Sequence, residues 1–214
     1  MNLLDFILNI DKHLITIVNS CGDWTYLILF LIVFVETGLV VFPFLPGDSL
    51  IFATIAMAAS PKYHLDLIIC YVIFIIAAIC GDSINYELGK WSELQSNKFK
   101  WFNKLINPQK KKAAEAFFEK HGGITIVIGR FIPIIRTFVP FVSGASKMHY
   151  RTFVIYNIVG AFLWVSLFSI CGFLFGNIPA VQHHFSLLII AIIAISILPI
   201  IILSIKNKLT KNSK

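Results

Sequence analysis

Charge is what this sequence has least of. Of its 214 residues only 14% are Asp, Glu, Lys or Arg, while 57% are hydrophobic, and mean hydropathy is +0.82. A soluble domain carries about 25% charged and about 45–50% apolar residues. A chain this apolar has too few polar groups to cover itself in water, so its solvent is lipid. A separate soluble domain is also excluded. The longest polar stretch, 90–122, falls below the ~40 residues under which a domain seldom folds unaided. Cysteine is scarce: Cys21, Cys70, Cys80 and Cys171 form no CxxC pair. That argues against a disulfide framework and against a metal site. Three of the four sit in apolar runs, where Cys behaves as a small hydrophobe. A cleavable leader is not expected, because Asp5 and Asp11 stand where a basic n-region would be. The composition points to no cofactor.

Basic residues are missing from one part of the chain and crowded in another. Residues 1–64 hold only Lys12 and Lys62, whereas 90–120 hold eight lysines and the tail adds Lys206, Lys208, Lys211 and Lys214. Basic loops remain in the cytoplasm. The 90–122 segment and the C-terminus are therefore expected inside, against anionic lipid head groups, and the N-terminus outside. Since these lysines flank membrane segments, nucleic acid is not an expected partner.

The apolar runs divide as follows. Residues 1–20 read as an in-plane amphipathic helix, with Asp5, Asn9, Lys12, Thr16 and Asn19 at spacings of three and four. Residues 24–60 are two apolar halves, neither reaching the roughly 20 residues needed to span. Pro43, Pro46 and Gly47 stand between them as breakers. This predicts a re-entrant helical hairpin, tolerated only where protein buries it or it lines a cavity. Residues 65–88 form a span. The basic amphipathic segment 90–122 follows. A second hairpin is expected over 124–148, broken by Pro133, Pro140 and Gly144. Spans follow at 152–175 and 185–205, then a basic tail, 206–214. The expected fold is an all-α polytopic integral membrane protein, one membrane domain over 1–214, with two hairpins and about three transmembrane helices.

The hairpins match each other in sequence. Pro43-Phe44-Leu45-Pro46-Gly47-Asp48-Ser49 and Pro140-Phe141-Val142-Ser143-Gly144-Ala145-Ser146 both read P-F-x-x-G-x-S. More loosely, Gly22-Asp23-Trp24-Thr25 parallels Gly122-Gly123-Ile124-Thr125. A hairpin returns to its own side, so the single span between them places the two on opposite sides of the membrane. That is an inverted repeat, whose substrate sites lie between the halves near the midplane.

Five ionisable residues interrupt the apolar segments: Glu36, Asp48, Asp82, Arg130 and Arg136. Each costs roughly 2.5–3.5 kcal/mol unpaired at mid-bilayer, so they are expected to face one another. The first hairpin supplies two acids and the second two arginines, and if the tips meet, opposite charges meet. On the functional reading, Glu36 and Asp48 exchange protons as access alternates. The arginines attract an anionic group such as phosphate, which Arg binds in a two-pronged fashion that Lys does not reproduce. The alternative is that these charges only lock the hairpins together. Asp82 is a candidate site residue, with an interfacial cap as the alternative reading, and Asn85 and Tyr86 beside it are candidate supports. Trp164 and Phe162 read as packing residues of a span, Trp91 and Trp101 as interface anchors.

The segments ETGLVVFPFLPGDSL, GDSINYELGK and GRFIPIIRTFVPFVSGASKM together resemble the DedA family of bacterial inner-membrane proteins, relatives of the eukaryotic SNARE-associated Golgi proteins. The likeness covers roughly residues 20 to 175. It implies a protein of the bacterial cytoplasmic membrane, engaged in homeostasis that depends on the proton-motive force. It further implies a lipid translocase: some members recycle undecaprenyl phosphate, and eukaryotic relatives scramble phospholipids. The family's important acids fall on Glu36 and Asp48, and its arginines on Arg130 and Arg136. The expected partners are therefore protons and a membrane lipid, either a polyprenyl phosphate or a phospholipid, with homo-oligomerisation open.

Four functions are weighed. A proton-linked translocase of an anionic lipid accounts for acids and arginines together. A proton-coupled antiporter of a small cation or drug uses the acids, but the arginines repel its cargo. A membrane lipid phosphatase needs a nucleophilic His in an Arg/His/Asp cluster, and His149 has no Asp beside it, so an enzyme is not expected. A scaffold without transport would leave purified protein inactive in liposomes.

Overall fold

The computed structural model describes residues 20–38, 47–61, 63–94, 122–146 and 148–176. Most of the expected 1–20 helix, Pro43, Pro46, residues 95–121 of the basic segment, the 185–205 span and the tail lie outside these residues. Among the described residues every regular element is a helix. In chain order they are α1 (Trp24–Gly38), α2 (Gly47–Ala58), α3 (Leu67–Leu94), α4 (Ile124–Gly129), α5 (Pro133–Ala145) and α6 (Tyr150–Gly176).

Two of them are long and apolar enough to cross a membrane, Leu67–Ser92 in α3 and Tyr150–Phe175 in α6, each of 26 residues. At 1.5 Å per residue that is about 39 Å, against about 30 Å of hydrocarbon. The expected 65–88 helix thus runs on as far as Leu94, taking in Gly89, Lys90 and Trp91. Both helices are patterned inside out. On α3 the buried positions include Asp82, Asn85 and Ser92, and on α6 Asn157 and Ser169, whereas the exposed ones include Ile68, Val72, Ile76, Ile84, Ile155, Phe162 and Leu167. Such an outer face is untenable in water but costs nothing in lipid, while backbone and side-chain polar groups must be satisfied within.

The described residues form two compact units. One contains α2 and residues 168–176 of α6. From Gly47 to Met57 every residue of α2 is buried, as a helix apolar all round requires. In the same unit Gly172 lets α6 lie close, since a Cβ there would sit 2.6 Å from the Phe52 carbonyl oxygen.

The other unit contains α1, residues 68–94 of α3, α4, α5 and α6 as far as Leu167. Small residues let its backbones meet. A Cβ on Gly81 of α3 would fall on the Thr37 hydroxyl of α1, and one on Gly89 would fall on the Phe141 carbonyl of α5. Helices α4 and α5 pack against each other, and α1 packs against α5. Between α4 and α5 the chain breaks at 130–132. Ile132 is extended (φ −108°, ψ 112°), because the following proline disfavours helical geometry there. Pro133 then opens α5, where its missing N–H is not needed.

Two of the expected breakers act otherwise. Pro140 and Gly144 lie inside α5. Pro140 cannot donate to the Arg136 carbonyl. One residue on, the Thr137 carbonyl accepts from Asn85 Nδ2 at 2.8 Å, so α3 braces the helix where proline weakens it. Gly144 is small for packing: its Cβ would fall on the Tyr86 carbonyl. The P-F-x-x-G-x-S match therefore spans different local structure, since Gly47 is the first residue of α2. The looser match has a closer counterpart. Gly22 and Gly122 both adopt left-handed backbone, φ +50° and +61°, each two residues before a helix begins, where glycine is the residue without steric penalty.

Candidate functional site

Four of the five ionisable residues come together in the larger unit. Arg136, in the first turn of α5, donates from Nη2 to Glu36 Oε1, near the C-terminus of α1. Arg130, in the turn between α4 and α5, donates from Nη2 to Asp82 Oδ2 on α3. Glu36 is 0% exposed, Asp82 4% and Arg130 5%. In such surroundings an unpaired charge is costly, and removing one partner costs about 3–5 kcal/mol. The expectation that acids and arginines face one another is met for these four. The pairing differs from the simple meeting of two hairpins, since Arg130 takes the acid of the intervening span. Asp48 belongs to the smaller unit, buried in the first turn of α2, where a carboxylate complements the helix dipole.

Sequence reasoning missed two residues, both on α6. Asn157 is fully buried. Its Oδ1 accepts from Arg130 Nη2, and its Nδ2 donates to the Ile79 carbonyl of α3 at 3.1 Å. Trp164, expected only to pack, presents its ring to both arginines, with Arg130 Cζ 5.9 Å and Arg136 Cζ 5.5 Å from the centroid. These are cation–π distances. A signal was available. Phe153, Asn157, Gly160, Ala161 and Trp164 recur at helical spacing and all are buried on one face, and an Asn amid apolar residues must find a partner. Gly160 keeps that face close, since a Cβ there would lie 3.3 Å from Val127 Cα and 3.4 Å from Arg130 Nε.

Asn85 and Tyr86 support the fold and do not touch Asp82 through the bonds seen here. Asn85 Nδ2 donates to the carbonyls of Thr137 and Thr37, tying α5 and α1 to α3. The Tyr86 hydroxyl donates to the Met148 carbonyl, and its ring stacks on Phe153 with centroids 4.5 Å apart.

Thr37, Asp82, Arg130, Arg136, Thr137 and Trp164 enclose a cavity of about 10 Å³, room for about one water. An anionic group cannot simply be added. It can enter only by taking a carboxylate's place on an arginine. Among the described residues no cluster of His, Cys, Asp and Glu could hold a metal ion.

Residues 45–174 match the VTT domain family. The chain is 49% identical to protein DedA of Escherichia coli over 208 residues, covering 96% of this chain and 94% of the relative. It is 36% identical over 177 residues to an uncharacterized membrane protein of Mycobacterium tuberculosis, covering 81% and 76%. It is 30% identical over 180 residues to the inner membrane protein YghB of Escherichia coli, covering 84% and 78%. No solved structure matches the chain.

Proposed function

The chain belongs to the DedA family of VTT-domain membrane proteins, and from that premise we propose that it is a proton-linked transporter that flips an anionic lipid across the bacterial inner membrane. The lipid is undecaprenyl phosphate or a lipid of like head group. The observation that carries this reading is the pair of arginines, Arg130 buried and Arg136 largely so, each held by a carboxylate around one small cavity. Such a site exchanges partners. When a carboxylate takes a proton it releases its arginine, and a phosphate takes its place in the two-pronged fashion guanidinium favours. When the proton leaves, the carboxylate reclaims the arginine and expels the lipid. Proton and lipid are thereby coupled without a change of net charge in the site.

The proposed architecture is an inverted repeat of two re-entrant hairpins, α1–α2 and α4–α5, set among spans. Three observations support it. With 15, 12, 6 and 13 residues, all four helices are too short to span. Gly22 and Gly122 share a left-handed backbone. Glu36 stands as far from Gly22 as Arg136 does from Gly122, and the two side chains meet, as counterparts near a two-fold axis do. The lysine-rich loop and C-terminus are proposed to face the cytoplasm.

A cation or drug antiporter is the weaker reading, because both arginines line the cavity. The test is movement of undecaprenyl phosphate across liposomes holding the purified protein, under an imposed pH gradient, beside Glu36→Gln and Arg136→Ala. Movement that needs both residues is expected. None with the wild type would sink the lipid reading.

A further inference from the structure

Counterion exchange poses a difficulty that the carboxylates cannot solve. In the moment between losing its acid and gaining a phosphate, a buried guanidinium would have no partner and would swing away or drag the acid back. Helix α6 supplies what is needed. Asn157 Oδ1 accepts from Arg130 Nη2, and the Trp164 ring faces both Arg130 and Arg136. Neither group titrates in the physiological range. Both are buried, and Asn157 is itself anchored to the α3 backbone at Ile79. The charged groups facing them are Glu36 from α1, Asp82 from α3, Arg130 from the α4–α5 turn and Arg136 from α5. All the acid partners can therefore change charge while the α6 partners stay as they are.

We propose that Asn157 and Trp164 are positioning residues that hold the two arginines in place while a carboxylate is exchanged for the phosphate of the transported lipid. This rests on the translocase reading and names the part of the site that reading left unassigned. A phosphate then meets guanidinium groups already aimed, so the loss of ordering on binding is small. The α6 residues should act on affinity and leave the later step of translocation nearly intact.

The first experiment measures translocation rate against the mole fraction of undecaprenyl phosphate in liposomes. Trp164→Leu is expected to raise the apparent KM about tenfold with a smaller change in kcat, and Trp164→Phe to recover most of it, because a benzene ring retains a weaker cation–π contact. Asn157→Leu, similar in size, is expected to raise the apparent KM about fivefold by removing a hydrogen bond to a charged group. Each variant is first shown to keep its melting temperature to within a few degrees, and Trp164→Phe and Asn157→Leu carry the test if Trp164→Leu does not fold.

The second measurement reads binding alone. With Trp24, Trp91 and Trp101 each replaced by Phe, Trp164 is the sole tryptophan, and inorganic phosphate is titrated against its fluorescence. A saturable change is expected, since phosphate would join the guanidiniums beneath the ring. A change without lipid movement would overturn the translocase but keep the positioning role. Neither change nor movement would overturn both. Movement whose apparent KM is indifferent to Trp164→Leu, Trp164→Phe and Asn157→Leu would overturn the positioning role alone.

Discussion

The two arginines of the site are tied to different parts of the fold. Arg130 is bound to Asp82 on α3 and to Asn157 on α6, the two helices long enough to span. Arg136 and its acid, Glu36, both stand on short helices, α5 and α1, that pack on each other. One pair thus fastens the α4–α5 turn to the frame of the unit. The other joins two short helices to each other, with the Trp164 ring of α6 over its guanidinium. The comparison teaches that two chemically similar ion pairs can divide the labour. Under the proposed exchange the Arg130 group would fix a charge in space, and the Arg136–Glu36 pair would be the one to open and close.

That division can be broken most severely at the second pair. Arg136→Ala is expected to slow lipid movement by about tenfold to a hundredfold, as loss of charge-assisted hydrogen bonds worth about 1.5–3 kcal/mol implies. The rate in liposomes checks it. Asp82→Leu should act chiefly on stability. It leaves Arg130 buried without its acid, and a loss of about 3–5 kcal/mol is expected, read as a lowered melting temperature in detergent. Glu36→Gln keeps an acceptor for Arg136, so its stability loss should be smaller, about 1–3 kcal/mol, while lipid movement fails. If Asp82→Leu and Glu36→Gln proved equal in both measurements, the distinction between the pairs would be gone. Gly81→Ala sharpens the same point from the packing side. Its new Cβ would fall on the Thr37 hydroxyl beside Glu36, and a loss of about 1–3 kcal/mol is expected from overpacking. The smallest effect belongs to Glu87–Lys90, a surface pair at 3.7 Å with both side chains half-exposed. Lys90→Gln should change stability by less than about 0.5 kcal/mol.

Much of this was legible before any coordinates. The two spans follow from long runs of apolar residues, and Glu36, Asp82, Arg130 and Arg136 stand out because charge is expensive in lipid. What periodicity and composition do not carry is which helix faces meet. Arg130 pairs with Asp82 through the packing of the α4–α5 turn against α3, a contact 48 residues apart in sequence, so assigning it to the first hairpin's acids was a matter of arrangement and not of chemistry. Asn157 and Trp164 were hidden for the opposite reason. Each fits unremarked in an apolar run unless Phe153, Asn157, Gly160, Ala161 and Trp164 are read together as one helix face. Pro140 misleads as a breaker because a neighbour, Asn85, takes up the Thr137 carbonyl beside it, and no local rule contains that neighbour.

The most direct test of the account is to follow protons and undecaprenyl phosphate together in liposomes, for the wild type and for Glu36→Gln. The account predicts that adding the lipid moves protons with it in the wild type, and that Glu36→Gln moves neither at a comparable rate. Lipid movement in Glu36→Gln as fast as in the wild type, with or without protons, would contradict counterion exchange at the Arg136–Glu36 pair.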